Sequence, residues 1–281
     1  MRPRCWPPCQ EVHLSDSAVD TVLCDVTDGV MRITLNRPDK ANAIAPEARN
    51  RLIELLGEAD GDVEVRAVAI HSTGKFFCTG ADVSRMSGSM ATPRPTGTTM
   101  RTMLGGAQRL IAAVLDCGKP VVAVVQGPAA GMGAHLAFAS DFIVASEDAW
   151  FSLPFVQRGL ALDAAGAYLL PRRMGLQKAK ELAFLGDRLT AAEGQALGVV
   201  NRVCAADQLE ATAAELVGRL AAAATTAIGL SKKLLNASLD ADRNSAFLAE
   251  AMSQEIVGRT DDIKEGVAAF MDKRPVNFRG Y

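Results

Sequence analysis

Val121-Val122-Ala123-Val124-Val125-Gln126-Gly127-Pro128-Ala129-Ala130-Gly131-Met132-Gly133-Ala134 decides the fold. Val121 to Val125 is continuous, apolar and mostly β-branched, the pattern of a strand buried on both faces. Gly and Pro then break the run, and helical character resumes from Gly131 to Phe138. Strand, tight turn, helix is the mark of an α/β chain. A second turn of this kind, Lys75-Phe76-Phe77-Cys78-Thr79-Gly80-Ala81-Asp82-Val83, follows the short apolar strand Ala67 to Ile70. In both turns small residues leave backbone N–H groups uncovered. Two such groups aimed at one point hold a carbonyl oxygen as it gains negative charge, which is an oxyanion hole.

Outward from these turns the chain keeps alternating. Val30 to Leu35 reads as a strand, and Asn36 to Lys40 as a turn. Pro46 suits the first turn of a helix running through Leu56. Ser87 to Thr99, rich in Ser, Pro, Gly and Thr, predicts a mobile loop, and Met100 to Leu115 a helix. Asp141 to Ala145 is a second buried strand. Helices are expected at Ala164 to Arg172 and Lys178 to Leu185, with a late strand at Gly198 to Val203. After Cys204 the chain turns helical: Leu209 to Ala224, Ala227 to Leu239, Arg243 to Val257 and Asp261 to Lys273. The expected organisation is a flexible extension over residues 1–16, an α/β core over 17–204 and a helical subdomain over 205–281.

Composition narrows the function. The chain has 281 residues, 49% of them hydrophobic and 22% charged, enough for a large core of a globular protein. A net charge of −2 gives no footprint for a nucleic-acid partner. No apolar run approaches the roughly 20 residues of a membrane helix. The N-terminus lacks the apolar segment of a secretory signal. The six cysteines are scattered, so a thiol-reduced cytoplasmic protein is the default. Cys5, Cys9 and His13 fall short of the four well-spaced ligands of a zinc site, so no metal is expected. Gly127, Gly131 and Gly133 do not have Gly-x-Gly-x-x-Gly spacing, and the acidic residue about 20 positions on is missing, which argues against dinucleotide binding.

Several segments in order resemble the enoyl-CoA hydratase/isomerase (crotonase) family. They are Leu35-Asn36-Arg37-Pro38 with Asn42-Ala43, then Phe77-Cys78-Thr79-Gly80-Ala81-Asp82, and Lys119-Pro120-Val121 leading to Gly133. Asp141 to Ala145 follows, then Thr190-Ala191-Ala192-Glu193 through Ala196 to Val200. The resemblance implies a crotonase-type spiral of ββα units whose C-terminal helices build homotrimers, often paired into hexamers. It implies a coenzyme A thioester as ligand and no cofactor beyond that CoA, in fatty-acid or related acyl-CoA breakdown. By position, the oxyanion donors would be the backbone N–H groups of Ala81 and Met132. Lys40, Ala41, Asn42, Asp82, Val83 and Ser84 would line the CoA.

The hydratases of this family use two glutamates to activate water and protonate the α-carbon. Here the matching positions hold His135 and Phe155. Phe155 would line an apolar acyl pocket and exclude water. Asp163 stands where diene-isomerising relatives carry a proton-exchanging aspartate, and its apolar neighbours predict a raised pKa. His135 is a second acid/base candidate, since imidazole titrates near pH 6.5. Plainer roles stand beside these: a core histidine bonded to a backbone carbonyl, and an N-cap for the helix after Asp163. His71 reads as structural, and Arg158, Arg172 and Arg173 as surface or helix-end charges. The expected activity is double-bond isomerisation in preference to hydration. The alternative is a non-catalytic acyl-CoA carrier that kept the oxyanion hole.

Overall fold

The computed structural model describes residues 21–82 and 95–281. Two strands open the chain, β1 (Val22–Thr27) and β2 (Val30–Leu35), paired antiparallel. The two residues between them, Asp28 (φ 50°) and Gly29 (φ 76°), are both left-handed, the backbone a two-residue hairpin needs. Helix α1 (Pro46–Gly61) leads to β3 (Ala67–Ser72). The helix expected over Met100 to Leu115 divides into α2 (Thr98–Leu104) and α3 (Ala107–Asp116), because Gly105 and Gly106 interrupt it. Strand β4 (Val121–Val125), the two-residue β5 (Ala129–Ala130), helix α4 (Met132–Ala139) and β6 (Phe142–Ser146) follow.

Beyond them come β7 (Trp150–Ser152), helix α5 (Gly166–Leu185), β8 (Arg188–Thr190), α6 (Ala191–Ala196) and β9 (Arg202–Cys204). The two helices expected around Arg172 and Lys178 are one span, interrupted at Gly175 (φ 77°, ψ 156°). Four helices complete the chain: α7 (Leu209–Ala221), α8 (Thr225–Ala237), α9 (Arg243–Val257) and α10 (Asp261–Asp272).

The main sheet runs β1-β2-β3-β4-β6-β9, parallel from β2 onward, and a smaller sheet pairs β5, β7 and β8. Strand β4 is buried on both faces, as its unbroken apolar run predicts. Val121, Ala123 and Val125 join the core under α1, α3 and α4, with Leu52, Leu55, Leu110 and Leu136. Val122 and Val124 face the other way, onto Leu209, Ala213, Leu216 and Val217 of α7. The first helix after Cys204 therefore covers the second face of the sheet. Helix α8 is pinned by Lys232, whose ammonium lies 2.8 Å from the Asp141 carboxylate and donates to Val114 O at 2.9 Å. Helix α9 buries none of its side chains. Among the described residues no single helix is long and apolar enough to cross a membrane.

Candidate active site

The two small-residue turns meet at Cys78. Its N–H donates to Pro128 O (3.3 Å) and its carbonyl accepts from Ala130 N (2.8 Å), a parallel bridge that lays one turn along the other. Its sulfur accepts from the Gly80 amide at 3.4 Å. Gly133 packs directly on it: a Cβ there would stand 2.2 Å from Cys78 O and 2.7 Å from its Cβ. Burial raises the Cys78 thiol to about 12, so it stays protonated.

Gly80 (φ 98°) turns the chain between the two amides that the sequence singles out. A Cβ on Gly80 would lie 2.9 Å from Ala130 O and 3.3 Å from Met132 N. Beyond it, Ala81 pairs with Ile44 in an isolated parallel bridge carried by its neighbours: Ile44 N donates to Gly80 O (2.8 Å) and Asp82 N to Ile44 O (3.0 Å). The N–H of Ala81 therefore points to the opposite side. Met132 is the first residue of α4, where helical amides have no intrahelical acceptor. Neither Ala81 N–H nor Met132 N–H has an acceptor among the described residues. Two open amides thus flank one glycine, one of them at the positive end of a helix.

The turn over Arg37 to Ala43 lies alongside. Ala41 (φ 50°) and Asn42 (φ 54°) are both left-handed, and Ala41 O accepts from Thr79 N and Oγ1. Asn42 is buried, and its side chain is committed within the protein. Its Oδ1 accepts from Arg37 N at 2.8 Å, and its Nδ2 donates to Thr73 O and Phe76 O. Ligand contact by the expected trio therefore falls to exposed Lys40 and to the Ala41 main chain. The Asp82 carboxylate is engaged by Arg37 at 2.6 Å. Val83 and Ser84 lie outside the described residues, as do Cys5, Cys9 and His13.

The positions expected to replace the glutamates form a stacked aromatic pair. The His135 and Phe155 rings are 5.6 Å apart and inclined by 11°. The tip of Phe155 reaches Gly131, immediately before Met132: a Cβ on Gly131 would be 3.7 Å from Phe155 Cζ. His135 is wholly enclosed, and among the described residues no side chain meets either ring nitrogen as a hydrogen-bond partner. Burial lowers its pKa to about 4, opposed by the adjacent Ala164 main chain, so the ring is neutral at pH 7. His135 is a core histidine, as expected, and the Ala164 main chain is the backbone group set against its ring.

Asp163 comes to the same place. Its neighbour Ala164 lies against the His135 ring, and Gly166 is tighter still: a Cβ there would be 2.4 Å from His135 Cε1. Asp163 is half-buried, and its carboxylate has no hydrogen bond or ion pair among the described residues. Burial pushes its pKa up from 3.8. It does not cap the following helix. Ala164 (φ 44°) and Ala165 (φ 60°) are left-handed, so α5 starts at Gly166 with Ala165 in the N-cap position and no side-chain cap.

The remaining candidates are accounted for elsewhere. His71 lies on the other face of β3 with Nδ1 3.3 Å from Glu210. Of the two roles expected for Arg173, the helix-end one is met: its guanidinium donates to Phe138 O and Ser140 O, closing the C-terminus of α4. Among the described residues no three His, Cys, Asp or Glu side chains gather as a metal site.

Comparison with known proteins gives a consistent picture. A family model described as enoyl-CoA hydratase/isomerase matches residues 25–281. The 1,2-epoxyphenylacetyl-CoA isomerase of Escherichia coli (strain K12) is 33% identical over 263 residues, covering 93% of this chain and 99% of that protein. The short-chain-enoyl-CoA hydratase of Clostridium acetobutylicum is 31% identical over 261 residues, covering 92% and 97% respectively. A crystal structure of an enoyl-CoA hydratase/isomerase from Cupriavidus metallidurans CH34 has a TM-score of 0.86 at 35% identity, covering 93% and 97%.

Proposed function

Because the chain belongs to the enoyl-CoA hydratase/isomerase family, we propose that it moves a double bond in an enoyl-CoA thioester, with Asp163 carrying the proton. The observation behind this reading is the stacked, buried His135–Phe155 pair at the two glutamate positions, beside an unpartnered carboxylate. An aromatic wall next to the Met132 amide offers nothing to hold or deprotonate water, which disfavours hydration. A half-buried carboxylate with a raised pKa suits proton abstraction and return near neutrality.

In this scheme the Ala81 and Met132 amides donate to the thioester oxygen. The Asp163 carboxylate removes a proton from the α- or γ-carbon, leaving a dienolate whose charge rests on that oxygen. The resulting acid returns the proton at the other end of the conjugated system. No electron is gained or lost, so CoA, carried by the substrate, is the only cofactor the step needs. His135, neutral and enclosed, shapes the wall; it joins proton transfer only when the turn over residues 163–166 moves. The exposed apolar side chains of α9 and α10, among them Phe247, Met252, Phe270 and Met271, support assembly as a homotrimer or hexamer. We place the enzyme in cytoplasmic breakdown of fatty or related acyl-CoA.

A panel of 2-enoyl-, 3-enoyl- and dienoyl-CoA thioesters in deuterated water, followed by mass spectrometry, tests this. Deuterium should enter the α or γ carbon, isomerisation should outpace crotonyl-CoA hydration, and Asp163→Asn should slow both exchange and isomerisation about 10²–10⁴-fold. Rapid crotonyl-CoA hydration untouched by Asp163→Asn would end this reading. Tight binding of every thioester with no exchange would favour the second one, a carrier, which the absence of both glutamates beside intact amides supports.

A further inference from the structure

Asp82, the acid of the turn over Lys75 to Val83, is held by Arg37. We propose that Arg37 and Asp82 are a positioning pair that holds the Ala81 amide on the thioester oxygen; this rests on the reading of Ala81 as a donor. The isolated Ile44–Ala81 bridge consists of just two hydrogen bonds, Ile44 N to Gly80 O and Asp82 N to Ile44 O. Among the described residues no longer ladder supports it, and it is this bridge that turns the Ala81 N–H outward. Arg37 reinforces it from both sides. Its Nη1 donates to the Asp82 carboxylate at 2.6 Å and to Ala43 O at 3.3 Å. Ala43 immediately precedes Ile44, and Asp82 immediately follows Ala81. One guanidinium nitrogen therefore clamps the residues next to both members of the bridge.

The clamp is strong enough to matter. The Asp82 side chain is 14% exposed and that of Arg37 27%, so solvent screens the pair less than a surface pair. A charge-assisted bond of this length is about twice as strong as a neutral one. Arg37 is itself fixed, because its amide donates to the buried Asn42 side chain, which holds Thr73 O and Phe76 O. The pairing also neutralises a carboxylate that would otherwise repel the phosphates of CoA. The turn that meets CoA and the amide that meets the thioester are thereby mechanically one unit.

The test uses the full chain and butyryl-CoA labelled with carbon-13 at the thioester carbonyl. Isotope-edited infrared reads the carbonyl shift on binding, and calorimetry reads the Kd. Arg37→Gln and Asp82→Asn should each lose at least about half of the wild-type red shift and slow proton exchange about tenfold or more, because a small misplacement of a donor is costly. Kd should change less than about threefold, and the double variant should be no worse than the worse single, as for residues acting as one unit. Arg37→Lys keeps the charge and should retain most of the shift; it also guards against a folding defect in Arg37→Gln. An intact shift with Kd weakened tenfold would make the pair a ligand contact and overturn the proposal, as would no change in either. Absence of any shift in the wild-type protein would remove the oxyanion reading itself, an outcome the variants cannot mimic.

Discussion

At the residue scale, the proposed chemistry turns on three side chains whose environments were only partly readable. His135 and Phe155 were visible as departures from the glutamate pattern, but their stacking was not, since it depends on β7 and α4 coming together. The enclosed imidazole carries a stability consequence. Its folded pKa of about 4 lies below the ordinary 6.5, so between these values the unfolded chain binds a proton that the folded one refuses. Stability is therefore lost as pH falls from 6.5 towards 4, by about 3 kcal/mol over that window. His135→Asn should flatten this stretch of the stability–pH curve in urea titrations taken every half unit. A variant with the wild-type slope would show that another group titrates there. Asp163 has the opposite sign. Its pKa is raised, so burial of its charge costs stability at neutral pH, and the cost disappears as pH falls through the raised value towards 3.8.

At the scale of elements, the two glycine turns act through what they lack. Gly80 has a positive φ, and a Cβ there would press on the Met132 amide. Gly80→Ala should therefore displace a donor and lower turnover by about 10²–10³-fold while the chain still folds, as circular dichroism and exchange rates would show. Unchanged turnover would mean that neither amide is used. The hairpin of β1 and β2 could have been found in advance, because Asp28-Gly29 is a strong two-residue turn signal. Strands β5, β7 and β8 could not: two or three residues carry no usable period. The start of α5 also escaped local reading. Alanine favours helix, yet Ala164 and Ala165 are held left-handed against the preference of L-residues, at about 1–2 kcal/mol each. The surrounding packing over Gly166 and His135 outweighs the propensity.

For the molecule as a whole, the fold is the crotonase-type α/β spiral with a helical C-terminal region. That region is joined to the core by the Lys232–Asp141 pair, with Lys232 itself 6% exposed. Removing one partner strands the other charge in the interior. Lys232→Met should destabilise by about 3–5 kcal/mol in chemical denaturation, and the double variant with Asp141→Asn should recover part of it. A double-variant loss equal to the sum of the Lys232→Met and Asp141→Asn losses would show that the charges do not act as a pair. The unburied helix α9 and the exposed Phe270 and Met271 of α10 present apolar side chains to solvent, the kind of surface a subunit contact would cover. Mass photometry should find a species three or six times 29.6 kDa, and a monomer at micromolar concentration would contradict the assembly proposed above.

From the residues alone came the α/β class, the buried central strand, the small-residue turns and the succession of helices after Cys204. These follow from period and backbone permissiveness, which are local properties. Tertiary structure decided the rest: that Asn42 and Asp82 are spent inside the protein, that His135 is sealed against Phe155, and, among the described residues, which amides stay open and that Asp163 is left without a partner. Each of these depends on groups distant in the chain being present or missing at a few ångströms, and no local pattern encodes an unmade hydrogen bond.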